Sequence, residues 1–183
     1  VELANSASRK GAIVTLICGP TKFTPTESGV VTIPVSTAEE MFNKVHEYFN
    51  STDVAILSAA VADYKPVNTS LSKIKKTSDH LNIELEETKD ILASLGQLKN
   101  KQILIGFALE TDNEIENAKM KIKSKNLDFI VLNSLNDKGA GFGETTNKIT
   151  IIDNDFNEKT FPLKTKEEVA NDIIDELLTK IDA

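Results

Sequence analysis

Four short apolar runs are spaced along the chain, and each is typical of a strand buried on both faces. They are rich in β-branched residues, and glycine, proline or polar residues interrupt the chain between them, as is common in parallel sheets. The runs are Ala12–Cys18, Val54–Ala59, Gln102–Phe107 and Asp128–Asn133.

Helical segments with recognisable ends lie between these predicted strands. Ser36 and Thr37 are each followed three residues later by a glutamate, the pattern of a capping box, and apolar residues at helical spacing come next. The first ten residues are typical of the tail of a helix, because Arg9, Lys10 and Gly11 form a stop signal. Further helices are predicted at Asp90–Leu95, ended by Gly96, at Asp112–Lys125, and after a cap formed by Thr165 and Glu168.

The alternation of apolar strands with helices predicts a mostly parallel sheet with helices on both faces. Val30–Val35, interrupted by a proline, would be a short edge strand, and Ile83–Leu85 alternates as a half-buried strand does. Lys148–Ile152 and Lys159–Leu163 flank turn residues, so we expect a late antiparallel hairpin. A chain of 183 residues is predicted to form one α/β domain, residues 1–183.

Composition narrows the class of protein. Apolar residues make up 40% and charged residues 27% of the chain, which is ordinary for a soluble globular protein. The net charge of −7 argues against broad nucleic-acid binding, so a local cluster of lysines is informative.

Cys18 is the one cysteine, which excludes an internal disulfide and fits a reducing compartment. The longest apolar run is about half of what a membrane span needs, and no signal peptide is visible, so we expect a cytoplasmic protein.

Several candidate ligand-binding residues follow the predicted strands, because ligands of open parallel sheets bind beyond the carboxyl ends of the strands. Asp63 follows the second buried run, where a carboxylate can hold a ribose hydroxyl or a metal ion on a phosphate; a capping or turn aspartate is equally common there. Ala59 and Ala60 would let a ligand approach the backbone closely, or would pack the strand tightly against a helix. Phe107 would be a core residue or a wall on which a base stacks.

Lysines are clustered at two places. Lys73, Lys75 and Lys76 belong to a KIKK run, whose ammonium groups suit phosphate, although lysines also protect exposed strand edges from aggregation. Lys121 and Lys125 are four residues apart on a predicted helix and share a face. The helix dipole alone also explains lysines near a helix end, and a second lysine pair shares another face.

Several familiar motifs are missing from the sequence. Neither the dinucleotide fingerprint G-x-G-x-x-G nor the phosphate loop G-x-x-x-x-G-K-[ST] is present. Gly139–Gly143 (GAGFG) does not follow a predicted strand directly, so we expect a flexible turn or a mobile lid. His46 and His80 have no histidine or cysteine partner at metal-ligand spacing, so no metal site is predicted. Ser58 lacks the sequence setting of a serine hydrolase.

Six segments along nearly the whole chain together carry a family signature: GAIVTLICGP, SAAVADYKP, SKIKK, IGFALET, KSKNLDFIVLN and FGETTNKITII. The specific part is AAVADY followed by KIKK ten residues after the aspartate. These segments resemble the phosphopantothenate–cysteine ligase (phosphopantothenoylcysteine synthetase) family, which in many bacteria is the C-terminal half of a bifunctional coenzyme A biosynthesis flavoprotein.

The resemblance implies a Rossmann-like three-layer fold, a homodimer, and a reaction that uses CTP. Family members activate the carboxylate of 4′-phosphopantothenate as an acyl cytidylate and release pyrophosphate; L-cysteine then attacks to give phosphopantothenoylcysteine and CMP. Mg²⁺ would be bound mainly through the phosphates. The family's CTP contacts fall on Asp63, Lys73, Phe107, Lys121 and Lys125, with Lys73 also catalytic, and Ala59 and Ala60 match positions that line the acyl cytidylate pocket.

Two departures from the family pattern bear on the site. The stretch Glu87-Thr88-Lys89-Asp90 keeps the aspartate but lacks a proline that the family often has, so nucleotide contacts of Thr88 and Lys89 are implied by position alone. The family also begins with a strand, a glycine-rich turn and an asparagine-containing stretch that bind substrate. This chain does not contain them, so we expect an N-terminally incomplete record of a longer protein.

The resemblance also suggests partners for this protein, and two other classes of function remain to be weighed. The resemblance suggests fusion to, or association with, a flavin-dependent phosphopantothenoylcysteine decarboxylase, and the late hairpin is a candidate surface for the homodimer. Without the N-terminal substrate site, the chain could be a CTP-binding or dimerisation module without turnover. A nicotinamide-dependent oxidoreductase is disfavoured because the glycine fingerprint is missing.

Overall fold

A computed structural model of the chain describes residues 1–70, 72–76, 80–134 and 144–181. The helices are α1 (Glu2–Arg9), α2 (Ala38–Phe49), α3 (Ile91–Leu98), α4 (Glu114–Ser124) and α5 (Lys166–Ile181). The strands are β1 (Val14–Cys18), β2 (Val30–Pro34), β3 (Val54–Leu57), β4 (Tyr64–Pro66), β5 (Leu85–Glu87), β6 (Ile103–Glu110), β7 (Phe129–Ser134), β8 (Thr146–Asn147), β9 (Ile149–Asp153), β10 (Glu158–Thr160) and β11 (Lys164–Thr165). In this part of the chain, no helix is both long enough and apolar enough to cross a membrane.

The central sheet has five strands in the order β10-β9-β7-β6-β3. β3, β6 and β7 are mutually parallel, and β9 and β10 add the predicted antiparallel hairpin. β1 and β2 pair in parallel with each other in a separate two-stranded sheet. The prediction that Ala12–Cys18 forms a strand buried on both faces is therefore wrong: within the described residues β1 pairs with β2 alone, and its side chains are partly buried or exposed.

Helices cover both faces of the central sheet. α2, α3 and α4 pack on one face, and α1 and α5 pack on the other. Side chains alternate along β6, so that Leu104 and Ala108 join the first cluster, whereas Ile105 and Phe107 join the second. The result is the three-layer α/β fold that the sequence predicts.

Both predicted helix caps form, although Glu40 at the start of α2 bonds the Ser36 amide and not the amide of the N-cap residue Thr37. Thr37 Oγ1 accepts a hydrogen bond from the Glu40 amide at 3.1 Å, and Glu40 Oε2 accepts from the Ser36 amide at 2.6 Å. At the start of α5, the Glu168 amide donates to Thr165 Oγ1 and the Thr165 amide donates to Glu168 Oε2. These local bonds satisfy amides that a helix start leaves without partners.

β4 and β5 form an exposed antiparallel ribbon outside the central sheet. The half-buried strand predicted at Ile83–Leu85 is wrong, because β5 begins at Leu85 and its three residues are exposed. The described residues 72–76, which contain the whole KIKK run, form no strand. β4, β5 and the described residues between them are called the β4–β5 arm. Its exposed large apolar side chains are Tyr64, Val67, Ile74, Leu81, Ile83 and Leu85.

α3 continues through Gly96, which was predicted to end it. A Cβ at Gly96 would lie 2.0 Å from the carbonyl oxygen of Lys125, the residue that caps the C-terminal end of α4. The side-chain amide of Asn126 also donates to the Gly96 carbonyl at 3.0 Å. Glycine inside a helix normally lowers stability relative to alanine, so this close contact between α3 and α4 explains the residue.

Gly96→Ala is expected to destabilise the fold by about 2–3 kcal/mol, because overpacking against a backbone carbonyl outweighs the better helix propensity of alanine. Gly19→Ala is the matched control, since no heavy atom lies within 4 Å of a Cβ placed there. Urea unfolding followed by circular dichroism measures both variants. Equal stability of the two would show that α3 and α4 do not meet tightly at Gly96.

Candidate functional site

The carboxyl ends of β3 and β6 and the start of α3 meet at one edge of the central sheet. β3 and β6 are parallel neighbours with Leu57 opposite Gly106, so the chain leaving β3 lies beside the last residues of β6. α3 precedes β6 and runs opposite to it, which places its first residues at the same edge. Ligand sites of open α/β sheets occupy this position.

The segment after β3 is exposed and is held by Thr88. Ala59, Ala60 and Asp63 are all exposed, which argues against tight strand–helix packing as the reason for the alanines. The Thr88 amide donates to the Asp63 carbonyl at 2.8 Å, and its hydroxyl donates to the Ala62 carbonyl at 2.6 Å. The strand end and the loop before α3 are therefore joined, next to the exposed carboxylate of Asp63.

Asp90 links the start of α3 to α4. Its Oδ1 accepts from the Ala93 amide at 2.9 Å, which caps α3, and its Oδ2 accepts from Lys125 Nζ at 2.7 Å. Burial alone would raise the pKa of Asp90, but the hydrogen bonds from Lys125 and from the Ala93 amide outweigh it and hold the pKa below its ordinary value. The ionised carboxylate thereby keeps the Lys125 ammonium beside the loop that contains Thr88.

Lys121 reaches the same edge from α4. Its Nζ lies 2.5 Å from Oε1 of Glu110, the last residue of β6, while the Asn117 amide donates to Oε2 at 3.3 Å. α4 begins at this edge and runs away from it, but helical side chains lean towards the N-terminus of their helix, so Lys121 extends back. Lys125, the residue after α4, reaches Asp90 at the start of α3. The predicted lysine pair is therefore brought to one face and one edge of the sheet.

Phe107 lies on the other face of the sheet. Its side chain is partly buried and packs with the cluster that contains α1 and α5, whereas Lys121 and Lys125 belong to a helix on the opposite face. The sheet separates this ring from the two ammonium groups. Contact between Phe107 and a nucleotide stays a prediction.

Lys73 lies in the long connection between β4 and β5. Its side chain is exposed, and no described residue forms a hydrogen bond or ion pair with it. The connection leaves the sheet through β4, which follows Asp63 directly. The structure thus places Lys73 on an arm attached to the site but shows no contact with the other predicted residues.

Sequence reasoning missed Glu110 and assigned no partner to Asp90 or Lys89. Glu110 ends the third buried strand, and the strand-end reasoning that selected Asp63 would have found it. The Lys89 ammonium lies over the ring of Phe42 on α2, 4.6 Å from the ring centroid. Neither the Lys125–Asp90 nor the Lys89–Phe42 pairing is visible from sequence spacing.

The candidate site is an open edge, not an enclosed cavity. A cavity of about 580 Å³ does open nearby, lined by residues around the start of α4 and by β9, including Asp112, Glu114, Lys148 and Thr150; its lining contains none of the predicted CTP contacts. Within the ranges that the structure describes, no three His, Cys, Asp or Glu side chains come together as a metal site requires. The predicted turn or lid at Gly139–Gly143 lies outside the described residues.

Comparisons with known proteins agree with this fold. A cysteine/cysteine sulfinic acid decarboxylase from an unknown prokaryotic organism is 53% identical over 182 residues, which cover 99% of this chain and 51% of that protein. The coenzyme A biosynthesis bifunctional protein CoaBC of Bacillus subtilis (strain 168) is 39% identical over 175 residues, covering 96% of this chain and 43% of that protein. The chain thus spans about half the length of the curated relatives it matches.

Solved structures match the fold of this chain, and a family model matches its sequence. A crystal structure of the C-terminal domain of CoaBC matches with a TM-score of 0.82 and 38% identity, covering 99% of this chain and 82% of that one. A DNA/pantothenate metabolism flavoprotein from Streptococcus pneumoniae shares the fold, with a TM-score of 0.82 at 19% identity over 98% of this chain and 86% of that one. The model of the DNA/pantothenate metabolism flavoprotein C-terminal domain matches residues 1–181, and the chain belongs to that family.

Proposed function

We propose that this domain ligates 4′-phosphopantothenate to L-cysteine with CTP, through an acyl cytidylate, in coenzyme A biosynthesis. The observation that carries the proposal is the pair of ammonium groups, Lys121 and Lys125, held at the edge of the sheet where Asp63 is exposed. The likeness to CoaBC proteins along 96% of the chain supports the substrate assignment.

The charges at this edge suit phosphoryl chemistry. A carboxylate that attacks an α-phosphate approaches a group of like charge, so cations must offset the triphosphate and the departing pyrophosphate. Lys121 and Lys125 already have the carboxylate partners Glu110 and Asp90. Each ammonium has three donors, so it can keep its carboxylate and still donate to a phosphate oxygen.

Lys73 is proposed as the catalytic lysine. It is exposed on the arm between β4 and β5 and has no ion-pair partner among the described residues, so its charge is available to a ligand. Movement of the arm towards Asp63 would bring the ammonium to the phosphates. It would also exclude water that hydrolyses a mixed anhydride.

The remaining predicted contacts would orient the nucleotide. The Asp63 carboxylate can accept from a ribose hydroxyl, the exposed Ala59 and Ala60 permit close approach of the acyl cytidylate, and Phe107 would contact the base from the other face. Mg²⁺ bound to the triphosphate would supply charge neutralisation while keeping most of its waters, which requires no cluster of protein carboxylates.

The proposed partners are a second copy of the chain and a flavin-dependent decarboxylase. Exposed apolar side chains along the β4–β5 arm support a partner that covers them, and the edge strand β10 remains the predicted dimer surface. The decarboxylase proposal is supported by CoaBC relatives, which are bifunctional proteins more than twice the length of the matched region. The relative that is 53% identical to this chain is named a decarboxylase. This chain covers 51% of that protein, so the name describes a protein about twice as long as the matched region.

The full-length gene product is expected to release pyrophosphate from CTP and 4′-phosphopantothenate in the presence of Mg²⁺. Because the acyl cytidylate holds the site, release should stop near one equivalent per site until L-cysteine is added, and ATP should be a poorer substrate. A coupled pyrophosphate assay measures this. CTP binding without pyrophosphate release would instead identify a binding or dimerisation module, and no binding of CTP would contradict the proposal.

Lys73→Gln in the same protein is expected to lower turnover about 10²-fold or more, the usual effect of removing one preorganised electrostatic group. Lys101→Gln is the control, because Lys101 is an exposed lysine just before β6, at the opposite end of the strand from the site. Steady-state rates of product formation compare the two. Near-normal turnover of the Lys73 variant would remove Lys73 from the mechanism.

A further inference from the structure

The loop before α3 is tied to three different elements by three consecutive residues. Thr88 binds the backbone of Ala62 and Asp63, and Asp90 binds Lys125. Lys89, between them, extends to α2, where its ammonium lies over the Phe42 ring at 4.6 Å from the centroid. An ammonium at this distance from a ring face makes a cation–π contact.

The Phe42 ring is itself held in place by His46. The two rings stack, with centroids 3.9 Å apart and planes inclined by 25°. His46 Nδ1 lies 2.7 Å from the Phe42 carbonyl oxygen, and Nε2 lies 3.1 Å from Ser94 Oγ on α3. The Ser94 hydroxyl also lies 2.7 Å from the Ile91 carbonyl oxygen, and its one proton can serve only one of these two acceptors. The imidazole still cannot turn without losing its contact with the Phe42 carbonyl, and Phe42 is also packed against the core. The ring therefore offers Lys89 a fixed platform.

We propose that Lys89 anchors the loop on Phe42 and is not a phosphate ligand, with Phe42 as the positioning residue and His46 locking its ring. The effect of this contact on nucleotide binding rests on the proposed nucleotide site. The anchor would fix Thr88 and Asp90, and through Asp90 the Lys125 ammonium, before a nucleotide arrives. Its loss should then weaken binding of the whole nucleotide and leave turnover of the bound complex unchanged.

The contact itself can be tested without any nucleotide. In the full-length gene product, NMR should show the ε-methylene protons of Lys89 shifted upfield by the Phe42 ring current, and Phe42→Leu should abolish that shift. The matched pair is Lys123 over Phe156, at 4.8 Å on the side of the molecule that carries β9 and β10. Phe156→Leu should abolish the Lys123 shift and leave that of Lys89 unchanged. An unshifted Lys89 in the unmodified protein would overturn the anchor whether or not CTP binds.

Binding measurements separate an anchor from a phosphate ligand. Lys89→Met is expected to weaken cytidine as well as CTP: cytidine because Thr88 and the segment that carries Asp63 are loosened, and CTP at least as much because Lys125 is loosened too. The loss should be about fivefold, the scale of one cation–π contact, with kcat unchanged and KM for CTP raised. Lys89→Arg should restore binding, because a guanidinium also stacks on an aromatic face. Phe42→Leu should match Lys89→Met, and the double variant should be no worse than either, as for two residues of one contact.

Binding data of a different pattern would identify Lys89 as a phosphate ligand. A loss confined to CTP, with cytidine unaffected, would make Lys89 a phosphate ligand and overturn the proposal. Lys89→Met leaves the core intact, so this comparison stands even if Phe42→Leu fails to fold. If the unmodified protein bound no CTP, the proposed function would fail, while the ring-current shift would still decide the anchor.

Discussion

The contact of α3 with the C-terminal end of α4 is the constraint on which the candidate site depends. Gly96 lets the Lys125 carbonyl approach to a distance that no side chain would permit, and Asn126 adds a hydrogen bond across the same contact. Lys125 is thereby placed beside α3, along which its side chain extends to Asp90. Because Asp90 also caps α3, one carboxylate fixes both the start of a helix and a cation at the edge of the sheet.

The charge balance of the site follows from this arrangement. In a chain of net charge −7, the ammonium groups at the sheet edge are each paired with a carboxylate, Lys121 with Glu110 and Lys125 with Asp90. Pairing holds long flexible side chains in place before a ligand arrives, which lowers the ordering cost of binding. The loop that contains Thr88 and Lys89 is fixed in the same way, by contacts to its neighbours and not by an enclosing cavity.

Features that depend on neighbouring residues were predictable from the sequence. The helix caps at Thr37 and Thr165, the four strands and the β9–β10 hairpin all rest on local patterns, and the structure contains them, although only β6 and β7 of the four are mostly buried. The lysine pair Lys121 and Lys125 also follows from helical spacing together with the family resemblance.

Features that depend on distant contacts were not predictable. Gly96 has the sequence appearance of a helix stop, and only the position of α4 shows that it is a packing glycine. The face on which Phe107 lies depends on the register of β6 in the sheet, and the separation of β1 and β2 depends on which strands pair. The partners of Lys89 and Asp90 lie on helices far away in sequence, which single-residue patterns do not report.

A crystal structure of the full-length gene product with CTP and Mg²⁺ tests the central claim most directly. The account predicts a triphosphate at the carboxyl edge of β3 and β6, with Lys121 and Lys125 donating to its oxygens and Lys73 brought in from the β4–β5 arm. CTP bound elsewhere on the molecule, with the two lysines still paired only to Glu110 and Asp90, would contradict it.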